Sequence, residues 1–80
     1  MSREEIEQKL NAFFVETLEL DAAVLLPESN LKNDVGLTSM DIIDIRLFVE
    51  KTFGWTMTRE DALSLSTLSD LYSAIENHIN

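Results

Sequence analysis

The sequence predicts an all-α protein, a small four-helix bundle of three longer helices and one short one with a long first loop. Three observations lead there. The 80 residues include only two glycines and one proline, too few for a turn-rich all-β fold. Apolar residues recur at the helical period in three separate stretches. Four times a Ser or Thr is answered three residues later by an acid, the signature of a capped helix entrance. A chain of this length makes one domain, residues 1–80, and buries roughly 60% of its unfolded surface. It has no cysteine, so stability must come from an apolar core, for which a 45% hydrophobic content suffices.

The first helix is expected over residues 2–19. Ser2 caps it, Glu5 completes the capping box, and Glu4, Glu5 and Glu7 suit the positive end of the dipole. Ile6, Leu10, Phe13, Phe14 and Leu18 form its apolar face, while its carboxylates, Glu16 included, read as a solvated face. A connection from about Leu20 to Leu37 follows, holding the only proline, Pro27. Leu25, Leu26, Leu31, Val35 and Leu37 recur through it, which predicts a loop pinned to the core; loops of this length are more often functional or well packed than idle. The second helix is expected over 39–53, with Thr38 as cap, Asp41 at its third position and Gly54 as the left-handed stop. A short helix near 59–63 opens on Thr58 and Asp61. The last, roughly 67–79, opens on Ser66-Thr67 with Asp70 and carries Leu68, Leu71, Tyr72, Ile75 and Ile79.

The second helix has one apolar stripe more than a small bundle needs. At roughly 100° per residue, Ile42, Ile45, Val49 and Phe53 share an arc and form an ordinary core face. Met40, Ile43 and Leu47 form a separate stripe, more than a right angle away. Asp44 and Lys51 border its far side; Ser39 and Glu50 lie between the two stripes. Either both stripes are buried between neighbours, or the second is a partly exposed strip, rimmed by carboxylates, that meets other proteins. The strip begins beside Ser39, at the helix entrance. A serine there is usually a cap. It also suits one chemistry, because a phosphodiester on its hydroxyl would face free backbone N–H groups and the positive end of the dipole.

Charge limits the partners. Fifteen acidic residues against six basic ones give a net charge of −9. That excludes unassisted binding to a nucleic-acid backbone, where each phosphate contact needs a cation. It favours protein partners with basic patches. No stretch is long and apolar enough to span a bilayer, and Met-Ser-Arg-Glu-Glu does not resemble a signal or transit peptide. A cytoplasmic, reduced protein is expected, with no membrane insertion.

Other chemistry is weaker. His78, the only imidazole, lies two residues from the end and reads as a surface residue. A calcium loop started at Asn30 would have Lys32 third and Val35 sixth, where an acid or amide and a glycine are needed. Trp55 is expected to cover the end of the second helix; the other possibility is that it lines a cargo pocket with Met57, Leu63 and Leu65.

The stretch Asp34-Val35-Gly36-Leu37-Thr38-Ser39-Met40-Asp41, continued by Ile42 to Gly54, resembles the acyl carrier protein family and its Asp-Leu-Gly-x-Asp-Ser-Leu segment. The run Glu60 to Leu68 resembles that family's passage into its last helix. The likeness extends to the order of helices along nearly the whole chain. It implies a freestanding, monomeric carrier with no catalysis of its own. A phosphopantetheinyl transferase would attach 4′-phosphopantetheine from coenzyme A to Ser39, and the thiol would carry an acyl or aminoacyl group as a thioester. A loading ligase or transferase and downstream biosynthetic enzymes with basic patches would be the other partners. By the same resemblance Met40, Ile43 and Leu47 offer apolar contacts to those enzymes, and Asp41, Asp44 and Glu50 the acidic ones. Two residues depart from the pattern: Thr38 replaces the family's Asp and Met40 its Leu. Arg46 and Lys51 add positive charge to a helix the family keeps more acidic, the mark of a specialised rather than a housekeeping member. An unmodified, carrier-like interaction module and a small acidic regulator or nucleic-acid mimic are the competing readings.

Overall fold

Each of the first three helix entrances is closed by a reciprocal pair of hydrogen bonds, so local chemistry sets where they begin. The computed structural model describes residues 1–79, with α1 at Arg3–Glu16, α2 at Ser39–Phe53, α3 at Arg59–Leu63 and α4 at Leu68–Ile79. Capping boxes join Ser2 to Glu5, Thr38 to Asp41 and Thr58 to Asp61. At α4, Thr67 Oγ1 accepts from the Asp70 N–H at 3.1 Å, and Asp70 Oδ2 accepts from the Ser66 and Thr67 N–H groups. These bonds hold the Asp61 and Asp70 carboxyls below the ordinary carboxylate range, the backbone N–H donors being the larger cause in both. Gly54 ends α2 at φ 78°, the left-handed stop.

α1 is shorter than the 2–19 expected. Thr17 caps its C-terminus, and the chain reverses through Glu19, which takes φ 57°. The Leu18 N–H donates to Phe13 O and the Leu20 N–H to Phe14 O, satisfying the last carbonyls. Leu18 therefore packs on the core from beyond the helix. The connection also contains a 3-10 turn, Ala22–Val24, whose cap is Asp21. α4 starts one residue later than expected, because Thr67 is its cap.

The core is built by Ile6, Leu10 and Phe14 of α1, Ile45 and Val49 of α2, and Leu68, Leu71, Tyr72 and Ile75 of α4, with Leu31, Val35, Met57 and Ala62 added from loops and α3. α1 packs on α4, and α2 packs on both α3 and α4. Arg3 links the first and last helices. Its guanidinium donates to Glu7, Ser69, Ser73 and Glu76 and lies 5.6 Å from the centre of the Tyr72 ring. Glu7 is thus an ion-pair partner rather than only part of a solvated face. Phe13 stacks on Phe48 at 4.2 Å, joining α1 to α2.

The long connection is tied down by backbone as well as by side chains. The Leu31 N–H donates to Ser66 O, Leu68 to Ser29 O and Ser69 to Pro27 O, an isolated antiparallel bridge onto the start of α4. Leu31 and Val35 are buried and Leu25 and Leu37 half-buried, as a pinned loop requires. Leu26 is the exception, exposed at the surface.

Candidate functional site

The entrance to α2 is fixed from both sides. Val35 is buried, and Gly36 turns the chain at φ 77° with open space where a Cβ would lie. The glycine is therefore needed for its backbone conformation rather than for clearance. The Leu37 N–H then donates to Leu31 O at 3.0 Å. Thr38 Oγ1 accepts from the Asp41 N–H at 3.2 Å, and Asp41 Oδ2 accepts from the Thr38 N–H at 3.0 Å. Thr38 thus caps the helix with its hydroxyl.

Ser39 occupies the first helical position with its side chain exposed. The capping box uses the N–H of the third position, Asp41, and the Ile42 N–H donates to Thr38 O. The Ser39 and Met40 N–H groups remain as the free donors that a helix start always leaves. Beside them is a groove of about 410 Å³ between the start of α2, the 30–33 turn and the 62–66 segment. Ser39 and Lys32 are on its rim, and Leu31, Leu37, Ile42 and Leu65 supply apolar lining.

The second stripe of α2 is exposed. Met40 is 68%, Ile43 48% and Leu47 63% accessible, whereas Ile45 and Val49 on the opposite arc are buried. Burial of both stripes is thereby excluded. The core arc is less complete than expected, since Ile42 and Phe53 are only half-buried. Asp44 and Glu50 are exposed; Asp41 is half-buried and committed to the cap. Arg46 faces elsewhere, with Nε donating to Met57 O at 2.9 Å and tying α2 to the segment before α3.

Trp55 does not line the groove. It is half-buried and stacks on His78 at 4.0 Å, covering the chain after α2 with the last turn of α4. Met57 is buried in the core, so of the alternative pocket set only Leu63 and Leu65 reach the groove. His78 is exposed and its Nδ1 lies 2.7 Å from Ala74 O. Sequence reasoning missed Asn30, Lys32 and Asn33 as groove residues. The backbone ties at Leu31 that bring this turn against α2 left no local signal beyond the apolar character of Leu31.

Among the described residues no group of acids and histidines is arranged to hold a metal, and no helix is long and apolar enough to cross a membrane. The donor set does fit a phosphodiester: an exposed hydroxyl, two free N–H groups and the positive end of a 15-residue helix. Residues 8–75 match a family model described as a phosphopantetheine attachment site. The chain is 33% identical over 79 residues to an acyl carrier protein of Coprothermobacter proteolyticus, covering 99% of this chain and 96% of that one. It is 33% identical over 78 residues to an acyl carrier protein of Thermotoga maritima, covering 98% and 96%. The chain belongs to the acyl carrier protein family, whose members bear phosphopantetheine and work as carriers rather than as catalysts.

Proposed function

We propose that Ser39 Oγ is the attachment atom for 4′-phosphopantetheine and that the chain, as a single monomeric carrier domain in the cytoplasm, delivers acyl or aminoacyl groups between enzymes. The observation behind this reading is the exposed Ser39 hydroxyl on the first turn of α2, beside two uncommitted N–H groups and open to a groove. Once bound, the arm supplies a terminal thiol that holds the cargo as a thioester. The protein's own residues do the rest. The Ser39 and Met40 N–H groups and the helix dipole stabilise the phosphodiester charge. Thr38 and Asp41 lock the turn that presents the hydroxyl.

Docking falls to the exposed face of α2. Met40, Ile43 and Leu47 offer a small apolar strip, and Asp44 and Glu50 attract basic patches on a phosphopantetheinyl transferase, a loading ligase or transferase, and downstream enzymes. Asp41 adds charge there while serving the cap. Carboxylates speed encounter and a small strip limits affinity, the combination a delivery protein needs.

Co-expression with a broad-specificity phosphopantetheinyl transferase, followed by intact mass, tests the reading. The expected product is the chain plus one phosphopantetheine. A chain that stays at its unmodified mass under conditions that load a known carrier is instead an acidic interaction module.

A further inference from the structure

Lys32 is one of six basic residues in a chain of net charge −9, and it is on the rim of the same groove as Ser39. It has no acidic partner: the ion pairs among the described residues both belong to Arg3, with Glu7 and Glu76. Glu28, four residues before it, makes no ion pair with it, and Asp34 and Asp41 are engaged elsewhere. Asp34 Oδ2 accepts from the Asn30 N–H at 2.7 Å, and Asp41 Oδ2 accepts from the Thr38 N–H at 3.0 Å.

The backbone under Lys32 is held firmly. Its N–H donates to Asn30 Oδ1 at 2.9 Å, and the preceding residue, buried Leu31, bonds through its N–H to Ser66 O and through its carbonyl to the Leu37 N–H. That last bond also sets the relation to the helix entrance. Lys32 is one residue beyond one end of it, and Ser39 two residues beyond the other. Both line the same groove, and the flexible four-carbon stem of the lysine lets its ammonium move along that rim.

We infer that Lys32 is a positioning residue for the arm, its ammonium supplying the cation that pairs with the phosphodiester on Ser39 from the groove side. The inference rests on the proposed attachment at Ser39. It explains why an unpaired cation shares with Ser39 a groove that no carboxylate lines. It also has a consequence for docking. On the helical wheel Ile42, which lines the groove, and the Met40, Ile43 and Leu47 strip lie on opposite sides of Ser39. A phosphodiester held toward Lys32 therefore leaves the strip clear for a partner.

The test compares modified and unmodified forms of the wild type, Lys32→Gln, Lys32→Arg and Lys9→Gln. Lys9 is on α1, away from this groove, and its replacement makes the same change in net charge. Intact mass first establishes loading. An arm absent from Ser39 removes the proposed function and this inference with it; the outcomes that follow concern Lys32 alone. At low salt the thermal midpoint gained on modification should fall by about 2–4 °C in Lys32→Gln. Lys32→Arg and Lys9→Gln should keep the gain, and the difference should vanish near 1 M salt, where the Debye length is about 3 Å. The phosphorus-31 resonance of the modified protein should move in Lys32→Gln and hold in Lys9→Gln. Equal behaviour of Lys32→Gln and Lys9→Gln, or a difference that survives high salt, would overturn the pairing.

Discussion

Tyr72 combines a buried ring with a polar tip that must find a partner. The residue is almost wholly inaccessible, and its hydroxyl donates to Asn11 Oδ1 of α1. Burial raises its pKa from the ordinary 10.0 to about 12, an effect the Asn11 hydrogen bond only partly offsets. The unfolded chain therefore gives up this proton at lower pH than the folded one. Stability from the neutral phenol is complete below pH 10 and is lost as pH rises through about 12. Thermal unfolding monitored from pH 9 to 12 should show the midpoint falling through this window, and Tyr72→Phe should flatten the fall. A wild-type curve that matches Tyr72→Phe at every pH would contradict the assignment. None of this was visible in the sequence beyond the helical spacing that put Tyr72 on the apolar face. Thr38 was the opposite case, since hydroxyl, acid at the third position and following apolar residues are all local, and the cap formed as read.

At the scale of elements, α2 is a helix with two apolar faces, one buried and one exposed. Ile45 and Val49 hold it to the bundle, whereas Met40, Ile43 and Leu47 reach solvent. Replacing a residue as exposed as Leu47 with Asp should change stability by no more than about 0.5 kcal/mol. Ile45→Asp would bury an unpaired carboxylate and should abolish the cooperative transition. If the strip docks enzymes, Leu47→Asp should keep the circular dichroism spectrum of the wild type and lose about fivefold or more in kcat/KM with a partner enzyme. An unfolded Leu47→Asp, or full turnover, would sink that role. Helix starts were legible because capping residues announce them. The end of α1 was not, because Leu18 continues the apolar spacing after the backbone has already turned at Glu19. The burial of the second stripe was likewise open, since a helical wheel gives the angle of a face but not what lies opposite.

For the whole molecule, the arrangement of charge tells more than its excess. Arg3 spans α1 and α4, Arg46 ties α2 to the segment before α3, and Lys32 overlooks the groove, so three of the six cations have a structural or site position. The two ion pairs of Arg3, about one-third exposed, contribute roughly 0.2–1 kcal/mol each, little beside the apolar core. Eight of the fifteen carboxylates cap a helix or turn or pair with Arg3, and Asp44 and Glu50, which have no such bond, flank an exposed apolar strip. Order of helices, caps and the position of Ser39 were readable because each depends on residues within a turn or two. The groove was not, because it needs the 30–33 turn brought against α2 by hydrogen bonds to residues more than thirty positions away.

The central claim is that this carrier presents its arm from Ser39 and nowhere else, although Ser2, Ser64 and Ser66 are also exposed. Intact mass of Ser39→Ala, co-expressed with the same transferase and compared with the wild type, tests it most directly. The account predicts a folded variant that gains no mass. A Ser39→Ala chain that still carries one phosphopantetheine would contradict it.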